Sequence, residues 1–300
     1  MSRKTNKNKS SDNKKTRKNS NGKLMCSPNP YKNNFSCFTN NTLFKMKNKW
    51  NMRHPDSKIR SMNPKKIWDE LKSKMSGTCY QESCWLKESF SGGELKYELN
   101  KTFAPEAPRS WNLNPTEWLS SEDIINVMQQ YEKSYKCFNF LGPSPIDYDS
   151  HKAYGECVWE ELCHFNLQEQ LDNNINKIGI IFNLDPHYKG GSHWVSMFIN
   201  IKKGWIMYFD SGGDAIPEQL MKFVNKVVSQ GVQLKKSIHF KFDQNYPKEH
   251  QKYDTECGMY SLYFIIYMLK DKHTKEYFKT HTIPDKKMEE FRKIFFNEKL

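Results

Sequence analysis

Residues 177–210 read KIGIIFNLDPHYKGGSHWVSMFINIKKGWIMYFD. Three apolar runs rich in β-branched and aromatic residues stand out: Lys177–Asn183, His193–Ile201 and Gly204–Asp210. Each has the length and composition of a strand, and turn formers separate them. The Lys202–Lys203–Gly204 turn is short, so the second and third strands are expected to pair antiparallel.

Helical patterns lie on both sides. Upstream, Leu119–Ser121 followed by Glu122 and Asp123 has the form of a helix start, and Ile124, Ile125, Val127 and Met128 supply its apolar face. Ser144–Asp149 reads as a loop and Tyr154–Gln170 as a helix. Downstream, Pro217 opens a helix with Leu220, Phe223, Val224, Val227 and Val228 on one face. Ser237–Phe242 follows as a strand, then helices over Cys257–Lys270 and Lys286–Phe296. This order predicts an α+β fold, a mixed central sheet flanked by helices, over residues 111–300. No apolar run reaches the roughly 18 residues of a membrane span. Gly258–Leu269 reads as a buried core helix.

The front of the chain differs. Residues 1–75 hold 20 Lys and Arg against 4 Asp and Glu, a net +16, within a whole-chain charge of +13. Residues 1–23 are basic and low in complexity, and are expected to form a disordered tail. Residues 24–110 read as a basic, partly helical extension. Its one clear helix is Asn63–Met75, with Ile67, Trp68, Leu71 and Met75 at helical spacing. Thr78–Arg109, with alternating apolar positions around Leu95–Leu99, has no firm assignment. Such an arm is suited equally to polyanions, nucleic acid among them, and to simple solubility.

Eight cysteines occur, at 26, 37, 79, 84, 137, 157, 163 and 257. No secretory signal precedes them, so a reducing compartment is expected and a disulfide framework is not. Cys157 and Cys163 with His164 suggest a metal site, but no matching second pair appears, and neither metal nor organic cofactor is expected.

The chemistry concentrates on four residues. Cys257 stands where the polar loop Gln251–Glu256 gives way to an apolar helix. A helix N-terminus stabilises a thiolate. Gly258 beside it is expected to admit a substrate backbone. A free cysteine is more often an inert core residue, so position alone does not settle its role. His193 sits at a loop-to-strand junction after Lys189–Ser192. Asp210 ends the next strand and falls at the same end of the hairpin, within reach of the imidazole. Gln251 has a side-chain amide able to donate to an oxyanion.

Taken in order, His193-Trp194, Tyr208-Phe209-Asp210-Ser211 and Gln251-x5-Cys257-Gly258-Met259-Tyr260 resemble the cysteine proteases specific for ubiquitin-like modifiers and their adenovirus-type viral relatives. Further likenesses to viral members are Phe182-Asn183-Leu184-Asp185, His250-Gln251, Thr255-Glu256-Cys257-Gly258 and Ile283…Asp285…Met288…Phe291-Arg292. The resemblance covers about residues 111–300. It implies a thiol protease with Cys257 as nucleophile, His193 as base, Asp210 as its orienting partner and Gln251 in the oxyanion hole. It further implies a narrow cleft beside Trp194 that favours Gly-Gly before the cut, and no cofactor. The expected substrates are viral structural precursors, in the virion or host cytoplasm. The alternatives are removal of ubiquitin or SUMO from host conjugates and, in another class, a non-enzymatic basic DNA-associated virion protein. All four catalytic positions being filled argues against the last.

Overall fold

The computed structural model describes residues 25–29, 31–77, 79, 82–86, 93 and 101–297. The expected tail over 1–23 and the alternating positions Leu95–Leu99 lie outside the described residues.

One mixed sheet contains β1 (Phe138–Phe140), β2 (Ser144–Pro145), β3 (Lys177–Asn183), β4 (Trp194–Asn200), β5 (Trp205–Phe209) and β6 (Lys241–Gln244), in the order β1-β3-β4-β5-β6 with β2 also beside β3. The decisive stretch is its antiparallel centre, with Asn183 opposite Trp194 and Ser196 opposite Phe209. β1 and β2 run parallel to β3, and β6 runs parallel to β5.

Every residue of β4 is buried. Trp194 and Phe198 join one core, while Val195, Met197 and Ile199 join the other. Successive strand side chains point to opposite faces, so a continuous apolar run requires cover on both. The N-terminal region supplies α1 (Asn40–Arg53) and α2 (Pro64–Met75). One sheet face is covered by α3 (Ser121–Ser134), and the other by two short helices, α4 (Glu160–Cys163) and α5 (Leu167–Asp172), with α6 (Glu218–Gln233). The α3 face also carries α7 (Cys257–Leu269), α8 (Lys275–Thr280) and α9 (Asp285–Phe295). Ser120 and Asp123 form a capping box that starts α3 where its sequence predicts. α7 is apolar nearly all round, as a helix buried between layers must be. It lies hard on the sheet: a side chain at Gly179 would meet Ile265 Cγ2 at 2.8 Å.

α1 and α2 enclose a separate core around Phe38, Leu43, Met46, Leu71, Trp85 and Phe103. Asn297 ties the segment leaving it to the end of the chain. Its Oδ1 accepts from Met25 N at 2.8 Å, and its N–H donates to Pro105 O at 2.7 Å.

Three expectations are corrected. Tyr154–Gln170 is not one helix. Residues 150–158 form a small hairpin, with Val158 N donating to Ser150 O at 2.8 Å and Gly155 at φ +83°. α4 and α5 are separate because Asn166 caps the second, its Oδ1 accepting from Gln168 N at 2.9 Å and Glu169 N at 3.2 Å. The expected strand Ser237–Phe242 begins pairing only at Lys241, because Ile238 packs back onto Gly231, to which its N–H donates at 2.9 Å. Disulfides are also present, at Cys26–Cys37, Cys79–Cys84 and Cys157–Cys163. Local loops of 11, 5 and 6 residues bring these Cα atoms to 5.1–6.3 Å, within bonding range. Cys137 and Cys257 remain free.

Candidate active site

Between β3 and β4 the chain turns through residues 184–192. Gly191 has φ +92°, and a side chain on it would meet Asn183 Nδ2 at 2.6 Å. Only glycine fits there. Asn183 Oδ1 holds the turn from inside, accepting from Asp185 N at 2.9 Å and Ser192 N at 3.3 Å. The turn delivers His193 to the head of β4 with its side chain 27% exposed.

The antiparallel register brings Asp210 alongside, as the hairpin reading requires. Asp210 is buried, and its Oδ1 accepts from His193 Nε2 at 2.7 Å and from Gly212 N at 2.8 Å. Its Oδ2 has no hydrogen-bond partner among the described residues. With Nε2 engaged by Asp210, Nδ1 is the nitrogen left for Cys257, which lies near enough to the ring to raise its pKa. Burial works to lower the imidazole, but the hydrogen bonds and charges of Asp210 and Cys257 outweigh it and push His193 up to about 10. The ring is therefore an imidazolium near neutrality, the partner a thiolate needs.

Cys257 is the first residue of α7 and is buried. The cap position before it, Glu256, makes no side-chain bond to the helix. Its carboxylate instead accepts from Arg292 Nε at 3.1 and 3.0 Å, and that guanidinium lies 4.5 Å from the Trp111 ring centroid. The helix N-terminus is thus left open toward the thiol. Gly258 departs from its expected role: a side chain there would meet Leu119 Cβ at 3.0 Å. Its glycine serves helix packing. Leu119 in turn accepts from Trp194 Nε1 at 2.9 Å, which locks the indole next to His193.

Gln251 reaches the same region from the loop before α7. Ser211 Oγ donates to its Oε1 at 2.7 Å, which fixes the amide with its NH₂ edge as the donor, and Nε2 bonds Tyr253 O. All four predicted residues are therefore gathered at one end of the sheet.

Sequence reasoning missed their supports. Asn245 accepts from Asp210 N at 2.9 Å and donates to Asp210 O at 2.7 Å. Asp285 Oδ2 accepts from Lys252 N at 2.9 Å and Tyr253 N at 3.2 Å, and its Oδ1 accepts from Tyr260 Oη at 3.0 Å. Buried His250 accepts from Ile283 N at Nδ1 and faces Phe278 O with Nε2, a neutral tautomer that burial holds down at about 4. His250 and Asp285 lay in stretches that resemble the viral proteases, but nothing in the sequence said what they bond, and Asn245 carried no such signal. A cleft of about 730 Å³ runs from Trp194, past Gly190–Gly191 and Asn183, to Trp118 and Trp159.

Residues 166–300 match the Ulp1 protease family, C-terminal catalytic domain. The chain is 31% identical over 271 residues to a thiol protease of Acanthamoeba polyphaga mimivirus, covering 82% of this chain and 84% of that one. It is 26% identical over 256 residues to a cysteine protease of African swine fever virus, covering 80% and 91%. The crystal structure of an African swine fever virus protease shares the fold with a TM-score of 0.65 at 21% identity, over 91% of this chain and 96% of that one.

Proposed function

This chain is a cysteine-type peptidase of the Ulp1 protease family, and from that premise we propose that Cys257, His193, Asp210 and Gln251 carry its reaction on viral structural precursors. The observation that carries the assignment is the His193 imidazole hydrogen-bonded to buried Asp210 and set beside the free Cys257 at a helix N-terminus.

In this reading the Cys257 thiolate attacks the scissile carbonyl carbon. The oxyanion takes hydrogen bonds from backbone N–H groups at the start of α7 and from Gln251 Nε2. As the C–N bond breaks, the His193 imidazolium gives its proton to the leaving amine. The now neutral ring takes a proton from water. The hydroxide attacks the thioester, the C–S bond breaks, and the acid product leaves a thiolate behind. Asp210 keeps Nε2 protonated throughout.

Three tryptophans, Trp118, Trp159 and Trp194, and the Gly190–Gly191 backbone line the cleft beside His193. Such walls favour residues without side chains, which supports Gly-Gly before the cut. The mimivirus and swine fever relatives are viral proteases, which supports a viral protein as the substrate. A relative from another swine fever isolate, 25% identical over 260 residues, bears the description SUMO-1 cysteine protease, which favours a second reading as a modifier-removing enzyme.

The test is turnover on Gly-Gly peptides with a fluorogenic leaving group, beside ubiquitin and SUMO carrying the same group. Precursor processing predicts cleavage of short peptides with kcat/KM no lower than for the modifiers. A large preference for an intact modifier supports the second reading. No cleavage of any of them would defeat the substrate assignment.

A further inference from the structure

The sequence places Cys157, Cys163 and His164 close together but supplies no fourth donor. The fold supplies it. The hairpin over residues 150–158 sets His151 against Cys157 as an antiparallel bridge pair; α4 returns Cys163 to that pair, and places His164 with Glu160 in a second group around the same Cys157 sulfur. Cys157 Sγ lies 3.9 Å from His151 Nε2 and 3.7 Å from His164 Nε2, and is joined to Cys163 Sγ. Three donor atoms thus surround the buried Cys157 sulfur.

We propose that in the reduced chain Cys157, Cys163, His151 and His164 form a Cys₂His₂ site for a divalent zinc-like ion, with the Cys157–Cys163 disulfide as its oxidised, metal-free alternative. Tetrahedral zinc bonds sulfur at about 2.3 Å and nitrogen at about 2.0 Å, so neighbouring S and N ligands stand about 3.5 Å apart. Both S–N distances are near that value. The Cα separation of 6.3 Å leaves the two sulfurs room to part around an ion. Two thiolates and two neutral imidazoles would neutralise the dication. Glu160 Oε1 accepts from Cys157 N at 2.8 Å and holds the loop, and its Oε2, 3.2 Å from His164 Nε2, gives up that nitrogen when the ion binds. His164 and Glu160 also line an open cavity through which an ion arrives.

The exchange balances. A dithiol reductant gives two electrons and two protons to the Cys157–Cys163 bond and is itself oxidised to a disulfide. Metal binding then displaces the two thiol protons. The consequence reaches the cleft, because Lys152 and Val158 from this same hairpin, and Trp159 directly after it, line it. Either closure, by metal or by disulfide, holds that wall.

The test is a cobalt titration of the full chain, reduced and then oxidised. The reduced chain should bind through Cys157 and Cys163 with a thiolate-to-cobalt charge-transfer band. The oxidised chain should lose that band. The chain carrying Cys157→Ser with Cys163→Ser should lose it too, with the other cysteines kept, and His151→Gln should weaken it. Zinc-edge X-ray absorption on the unaltered reduced chain needs no variant to fold, and should show two sulfur and two nitrogen neighbours. A reduced chain that binds no metal through sulfur would overturn the site and leave a disulfide only. So would a band that survives in the double-serine chain, or a zinc shell without two sulfurs.

Discussion

At the site, the decisive question is which atom each side chain presents. Gly212 N and His193 Nε2 both donate to Asp210 Oδ1. In Asp210→Asn the Gly212 donor should hold the amide oxygen at that position, so the imidazole keeps its tautomer. Turnover should fall by roughly 10–100-fold, well short of the ~10⁴-fold loss that follows a wrong tautomer. The alkaline limb of the pH–rate profile should also move below the His193 value of about 10, because the charge that raises it is gone. Stability follows the same sign. The His193 contribution is full below its ordinary value near 6.5 and is lost as pH rises through about 10, and the variant should lack that slope. An unchanged alkaline limb would remove Asp210 from its role. Cys257→Ala should reduce cleavage to background without unfolding the chain. Gln251→Ala should lower kcat by about 10²-fold with KM held, since its donor acts in the transition state; normal turnover would exclude it.

Among the elements, α7 matters most, because its first residue is the thiol. Glu256 and Arg292 are both buried, and Arg292→Ala would strand the carboxylate at a cost of about 3–5 kcal/mol. Thermal unfolding should show a large fall in Tm, and a negligible shift would mean that the pair is not what anchors this helix. Packing provides a second check. Gly258→Ala drives a methyl against Leu119, so about 1–3 kcal/mol and much of the activity should be lost. Adding Leu119→Ala should restore part of both. A Gly258→Ala chain with full activity would show that the close approach is unimportant. The loop before α7 carries an acid sensitivity. His250 is held neutral by burial at about 4, so its contribution is complete above pH 6.5 and lost as pH falls toward 4. Urea unfolding across that range should reveal the loss, and His250→Gln should flatten it.

For the whole molecule, charge is divided between the arm and the enzyme. Residues 1–24 carry 9 Lys and Arg against 1 Asp. We propose that this basic segment holds the protease on DNA or another polyanion and takes no part in bond cleavage. The α1–α2 core and the Asn297 hydrogen bonds argue for cutting no further than Met25, since removal through Gly77 would take away most of a packed cluster. A chain starting at Met25 should keep peptide cleavage and bind DNA far more weakly. Its log K against log salt should flatten by about 0.9 for each phosphate the arm had neutralised. Equal DNA binding by the shortened chain would refute the anchor.

The sequence by itself determined the antiparallel centre of the sheet and most of the helices around it, and it nominated Cys257, His193, Asp210 and Gln251 for the site. The elements rest on local periodicity and turn chemistry, and the four residues on motifs whose order resembles a protease family, all of which a linear reading carries. Only the tertiary structure decided what surrounds them. Asn245, Ser211, Asp285 and the Glu256–Arg292 pair act across 33–40 residues of chain, and no local pattern records such a pairing. The same holds for Gly258, whose neighbour Leu119 lies on a distant segment, and for His151, whose approach to Cys157 depends on a hairpin that the helical periodicity of Tyr154–Gln170 concealed. Periodicity reports which side of an element is apolar. Which polar atom meets which is fixed only when the elements pack.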